Sequence, residues 1–163
     1  MATFLSLGAE LAREVDPLEE NHDESDVRSL SEAALLCVDD DQAVLECEKA
    51  FLESFGHSVM TASSGREALD LIAVHSFDVV IVDYCMPEMN GQELAIAMRQ
   101  VWPRAPIIML SGTPDIPEQA LKVVDTFVAK DCLVSKLLPA ISLLKKKLSL
   151  EGRRQINSAS GAD

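Results

Sequence analysis

The sequence is poor in positive charge. It holds 14 Lys and Arg against 27 Asp and Glu, a formal net charge of −13. A nucleic-acid-binding chain needs a basic face to meet the phosphate backbone, so no direct nucleic-acid contact is expected. Long apolar runs are also missing, and none approaches the ~18 residues of a membrane helix. The opening stretch "MATFLSLGAELAREVD" has no positive flank and only a brief apolar patch, which argues against a secretory signal. The chain contains no CxxC pair, and none of Cys37, Cys47, Cys85 and Cys132 lies near a His at zinc spacing. The expectation is a soluble, cytoplasmic protein with free thiols and no membrane partner.

What is present is enough apolar sequence for a core, 48% of 163 residues, on a scale that suits one domain with added tail. Residues 1–32 read as an acidic N-terminal extension, partly disordered. In it a short amphipathic piece (Phe4, Leu5, Leu7, Leu11) precedes a solvated run of acids. The domain proper is placed at 33–148, and residues 149–163 read as a polar, disordered tail.

Within 33–148, short apolar runs alternate with helical patterns five times. "ALLCVDD", "HSVMTA", "FDVVIVDY", "APIIMLSG" and "TFVAK" read as strands. "QAVLECEKAFLESFG" reads as a helix with Val44, Leu45, Phe51, Leu52 and Phe55 mostly on one face and Gly56 as its stop. Helices are also expected over "SSGREALDLIAVHS", "QELAIAMRQVW" and "SKLLPAISLLKKKL", with Pro139 kinking or delaying the last one. A short helix of two turns is expected from Pro117. Strands that are unbroken apolar runs are buried on both faces, as in a parallel sheet covered by helices. The fold class is therefore α/β, doubly wound.

In an open parallel sheet the working crevice lies beyond the carboxyl ends of the strands. Asp39 and Asp40 end the first strand, Asp83 the third, Ser111 the fourth, and Lys130 follows the fifth. Clustered carboxylates resist joint ionisation, and a divalent cation removes the conflict. Hard oxygen donors without His or Cys favour Mg2+. Lys130 adds a fixed cation and Ser111 a hydroxyl. A metal, a lysine and a hydroxyl around one carboxylate meet the needs of phosphoryl transfer. Asp83, between the acidic side and the Ser/Lys side, is the best-placed nucleophile for an aspartyl phosphate. Asp41 reads as the cap of the first helix.

"LLCVDDD", "VVIVDYCMPEMNG", "PIIMLSG" and "FVAK", in this order and strand context, resemble the receiver domain of two-component response regulators. The resemblance implies a flavodoxin-like (βα)5 fold with five parallel strands in the order 2-1-3-4-5. It implies Asp39 and Asp40 as the Mg2+-holding pair, together with Asp83 and the backbone carbonyl of Cys85. Asp83 matches the phospho-acceptor loaded from a histidine kinase. Ser111 and Lys130 match the groups that meet the phosphoryl group, and Phe127 matches an aromatic switch that moves with Ser111. Such a receiver catalyses only its own phosphorylation and dephosphorylation, and acts by changing partners. Those partners are a histidine kinase and then a downstream effector or a His phosphotransfer protein. Phosphorelay intermediate and non-phosphorylated binding module stand as alternatives. A metal-dependent phosphohydrolase would usually carry a second acid where Cys85 stands. Only fifteen residues follow Leu148, so a stand-alone receiver is expected. Oligomeric state stays open.

The sequence departs from the family where Asp131 replaces the usual Pro after Lys130. The peptide bond there is expected either to be trans or to carry strain. The helix before the fifth strand is short, which puts the family's usual dimer face in doubt.

Overall fold

The computed structural model describes residues 32–113 and 115–159, with side chains up to 150. The amphipathic and acidic pieces assigned to residues 1–31 lie outside the described residues. Five parallel strands, β1 (Ala34–Val38), β2 (Ser58–Ala62), β3 (Val79–Asp83), β4 (Ile107–Ser111) and β5 (Thr126–Ala129), form one sheet. Their order is β2-β1-β3-β4-β5, as the resemblance implied. Helices α1 (Gln42–Ser54), α2 (Gly65–Val74), α3 (Gly91–Val101), α4 (Glu118–Leu121) and α5 (Leu133–Ala159) alternate with the strands.

Alternate residues of each strand feed two cores. Leu35, Cys37, Ile81, Ile108 and Leu110 meet Leu45 and Leu52 of α1 and Leu137 and Ile141 of α5. Leu36, Val38, Val80, Val82 and Ile107 meet Ala68 of α2 and Leu94 and Met98 of α3. Every residue of β3 and β4 is buried, which is why both strands read as continuous apolar runs. Each fully buried large side chain there stabilises the fold by about 1.5–3 kcal/mol.

Local chemistry sets the helix starts. Asp41 caps α1 by accepting from the Ala43 N–H at 2.9 Å, and Ser64 caps α2 by accepting from Glu67 N–H at 3.2 Å. Asn90 and Glu93 form a capping box on α3, each side chain accepting from the other's backbone N–H at 3.0 Å. Gly56, with φ +85°, occupies the left-handed region that ends α1.

Four expectations change. On α1 the buried residues are Leu45, Glu48 and Leu52, and Phe55 is 54% exposed. Helix α4 is a single turn, not two, because Val123 and Val124 pack on the core and lead into β5. Helix α5 starts at Leu133 and runs through Pro139. A proline inside a helix costs about 3 kcal/mol, and burial of Leu137, Ala140, Ile141 and Leu144 offsets that cost. The same helix continues to Ala159, so the polar segment placed at 149–163 begins as helix.

Candidate metal and phosphoryl-transfer site

Three strand ends and one turn build the site. Asp39 follows β1, Asp83 is the last residue of β3, and Lys130 opens a 3-10 turn that links β5 to α5. Among the described residues no peptide bond is cis, so the Lys130–Asp131 step is trans and the chain turns through Lys130–Cys132 instead. Residues more than forty positions apart in sequence thus meet above the carboxyl edge of the sheet.

Carboxylate oxygens of Asp39, Asp40 and Asp83 lie within 4.8 Å of one another. Asp39 and Asp83 are buried and Asp40 is exposed. Lys130 Nζ donates to Asp39 Oδ2 at 2.7 Å and lies 2.7 Å from Asp83 Oδ1. Asp39 Oδ1 also accepts from the Asp41 N–H at 2.9 Å. Burial raises the Asp83 pKa, and the Asp39 charge adds to that. The hydrogen bond and charge of Lys130 and the Cys85 N–H work the other way. Burial works against the Lys130 ammonium, yet its bonds to Asp39 and Asp83 outweigh this and raise its pKa.

With all three acids ionised, three carboxylates less one ammonium leave two negative charges. That charge and the all-oxygen donor set suit a divalent hard cation. Asp39, Asp40 and Asp83 are the side chains that would hold it.

Ser111 ends β4 directly opposite Ala129 in the sheet register. Its hydroxyl is engaged locally. It accepts from the Thr113 N–H at 3.0 Å and stands 3.2 Å from Thr113 Oγ1. Phe127 pairs with Met109, two residues short of Ser111, and is half-buried on the edge strand. Cys85 lies two residues beyond Asp83 with its side chain exposed. The structure therefore brings Asp39, Asp40, Asp83 and Lys130 together, whereas Ser111 faces Thr113 and Phe127 sits apart.

The β3–α3 loop is packed tightly under Asp83. A Cβ at Gly91 would collide with the carbonyl oxygen of Asp83 and the Cα of Tyr84, and Gly91 N–H donates to Tyr84 O at 3.0 Å. Glu88 in this loop has φ +62°, a left-handed conformation that a non-glycine residue adopts at some cost.

One residue near the site is not legible as such in the sequence. Glu48 of α1 is 5% exposed, and its Oε1 has no hydrogen-bond partner. Burial, with added repulsion from Asp39, raises its pKa to about 7. Its signal was spacing, since positions 45, 48 and 52 fall on one helical stripe. Burial also pushes the Cys37 thiol up, with Glu48 and Asp39 adding to it. All four cysteines are free.

A flavodoxin-like sheet in this order, with an acidic cluster and a lysine at its carboxyl edge, defines the class of signalling receiver modules. The response regulator receiver domain profile matches residues 35–142, and the chain belongs to that family. The response regulator MprA of Mycolicibacterium vanbaalenii is 34% identical over 116 residues, 69% of this chain and 50% of that protein. The transcriptional regulatory protein GlrR of Escherichia coli is 41% identical over 86 residues, 53% of this chain and 19% of that protein. The chain thus spans half or less of these relatives' length. Among solved structures, the response regulator TrrA from Thermotoga maritima in complex with Mg2+-BeF aligns with a TM-score of 0.65 and 29% identity. That alignment covers 68% of this chain and 97% of TrrA. Receiver domains are signalling modules that bind Mg2+ at an acidic pocket and work with histidine kinases and effectors. Among the described residues no helix is long and apolar enough to cross a membrane.

Proposed function

We propose that this chain is a phospho-accepting receiver in which Asp83 takes a phosphoryl group from a histidine kinase and thereby changes partner binding. The observation that carries the reading is the Lys130 ammonium, shared between Asp39 and Asp83 at 2.7 Å each. A carboxylate oxygen of Asp83 attacks phosphorus, the P–N bond to the donor histidine breaks, and the released imidazole nitrogen keeps the electron pair and takes a proton. Bound Mg2+ would supply positive charge to the phosphoryl oxygens. Lys130 already lies against Asp83 and adds a second cation at the same place.

Phosphorylation adds about −1.5 to −2 charge and new acceptor oxygens at Asp83. Lys130 then has a stronger partner than Asp39, and Ser111 gains an acceptor that competes with Thr113. Both residues stand next to the ends of β4 and β5, so a charge change at Asp83 acts on that edge of the sheet. Phe127 on β5 is the aromatic side chain placed to follow it. A carbonyl ligand from Cys85 completes the metal site in this reading.

Incubation with acetyl phosphate and Mg2+ tests the proposal. Wild type should gain the mass of one phosphoryl group in an acid-stable, alkali-labile linkage, and Asp83→Asn should not. Equal masses for the two proteins would remove Asp83 from the role.

A further inference from the structure

A groove of about 700 Å³ opens between the carboxyl ends of α2 and α3, at the edge of the sheet opposite the acidic site. Leu69, Ile72, Phe77, Val101 and Trp102 form its apolar wall, and His75, Ser76 and Gln100 add polar groups. Val101 in its wall is 69% exposed. An open, mainly apolar groove with a bare valine in its wall marks a surface that another segment covers.

The chain enters the domain at the same end of the sheet as this groove, with Ala33 packed on the α1/α5 face. Ala34 N–H donates to Asp78 Oδ2 at 2.8 Å, and Asp78 N–H donates to Ala34 O at 2.7 Å. Phe77, the residue before Asp78, is part of the groove wall. Ala33 N–H is fixed as well, donating to His57 Nδ1 at 3.2 Å. The preceding polypeptide therefore starts its path at the groove's own end of the sheet.

That polypeptide carries one apolar cluster, Phe4, Leu5, Leu7 and Leu11, and beyond it a mainly acidic, polar stretch up to residue 31. Positions 4, 7 and 11 repeat at helical spacing, the pattern by which a short amphipathic helix presents anchors to a groove. Twenty residues separate Leu11 from Glu32, and a chain of that length reaches at most roughly 65 Å when extended. Reach is therefore no obstacle, and the tether supplies a local concentration on the order of millimolar.

We propose that the N-terminal segment around Phe4–Leu5–Leu7–Leu11 docks into the α2–α3 groove of its own chain. The contact is intramolecular and apolar, and it covers Trp102. It lies at the edge of the sheet away from Asp83, so it stands or falls independently of the phosphoryl-transfer reading.

Trp102 is the only tryptophan in the chain, so its fluorescence reports the groove alone. In the unaltered chain Trp102 should be shielded from acrylamide. The double variant Leu7→Asp/Leu11→Asp should show stronger quenching and a red-shifted emission. Added peptide of residues 1–16 at millimolar concentration should restore shielding to this variant. The same peptide should not do so when Val101→Asp is also present. Equal quenching of wild type and the double variant overturns the proposal. Shielding that grows with protein concentration also overturns it, because a second copy is then the occupant.

Discussion

Nζ of Lys130 stands 2.7 Å from Oδ1 of Asp83, joining the end of the edge strand β5 to the end of the central strand β3. The same ammonium reaches Asp39 beyond β1, so one side chain ties three strand ends together. Two buried carboxylates share a single cation that is 28% exposed.

Removing that cation leaves both acids buried and unpaired. Breaking a fully buried pair costs about 3–5 kcal/mol, and the partial exposure of Lys130 puts Lys130→Met nearer about 2 kcal/mol. Burial already raises the Asp83 pKa, and loss of Lys130 removes the hydrogen bond and charge that hold it down. The cost is then absent in acid and grows as pH rises through the carboxylate range. Urea unfolding should show a larger loss at pH 7.5 than at pH 4, and Mg2+ should recover part of it. A loss independent of pH contradicts the pairing.

Glu48 sets a second pH dependence. Its pKa rises from 4.5 to about 7 on folding, so the folded state binds the extra proton. Its cost is absent below pH 4.5, develops as pH rises, and is complete above pH 7. Across that window it amounts to about 3 kcal/mol. Glu48→Leu should stabilise the fold, and the gain at pH 8.5 should exceed that at pH 4.5 by about this amount. Equal gains at both pH values would show that folding leaves the pKa of this carboxyl unshifted.

Three adjacent aspartates should separate into two roles. Asp40→Ala should weaken Mg2+ binding by tenfold or more in calorimetric titration, since it removes one of three converging carboxylates. Asp41→Ala should leave that affinity near wild type and cost about 1 kcal/mol of stability, because its carboxylate caps α1. A large loss of Mg2+ affinity in Asp41→Ala would contradict this division.

Gly91 holds the acceptor loop in place. Gly91→Ala forces its methyl group against the Asp83 carbonyl and Tyr84, and overpacking of this kind costs about 1–3 kcal/mol. Thermal unfolding should show the loss, and phosphorylation by acetyl phosphate should slow with it. A variant of wild-type stability would mean the β3–α3 loop moves aside freely.

Much of the architecture was legible because its causes are local or periodic. Unbroken apolar runs marked the strands, and Asp41 marked a helix start through the cap chemistry it later shows. Pro139 does not delay the last helix, for a physical reason. Its cost is local and visible, while the burial of Leu137 and Ile141 that offsets it comes from distant strands. Glu48 was hidden because a charged residue within a helix ordinarily marks the solvent face. The hydroxyl of Ser111 could be placed at a strand end, yet its pairing with Thr113 depends on the path of the following loop.

Sequence alone determined the five-strand parallel sheet and the presence of acids at its carboxyl edge, because burial on both faces leaves an unbroken apolar run that ends where the chain meets solvent. The tertiary structure decided which of those groups touch. The bridging of Asp39 and Asp83 by Lys130, the unpartnered Glu48 and the groove beside Trp102 each join segments from separate elements. Hydrogen-bonded contact holds over only about half an ångström of donor–acceptor separation, and only the packing of those elements sets distances on that scale.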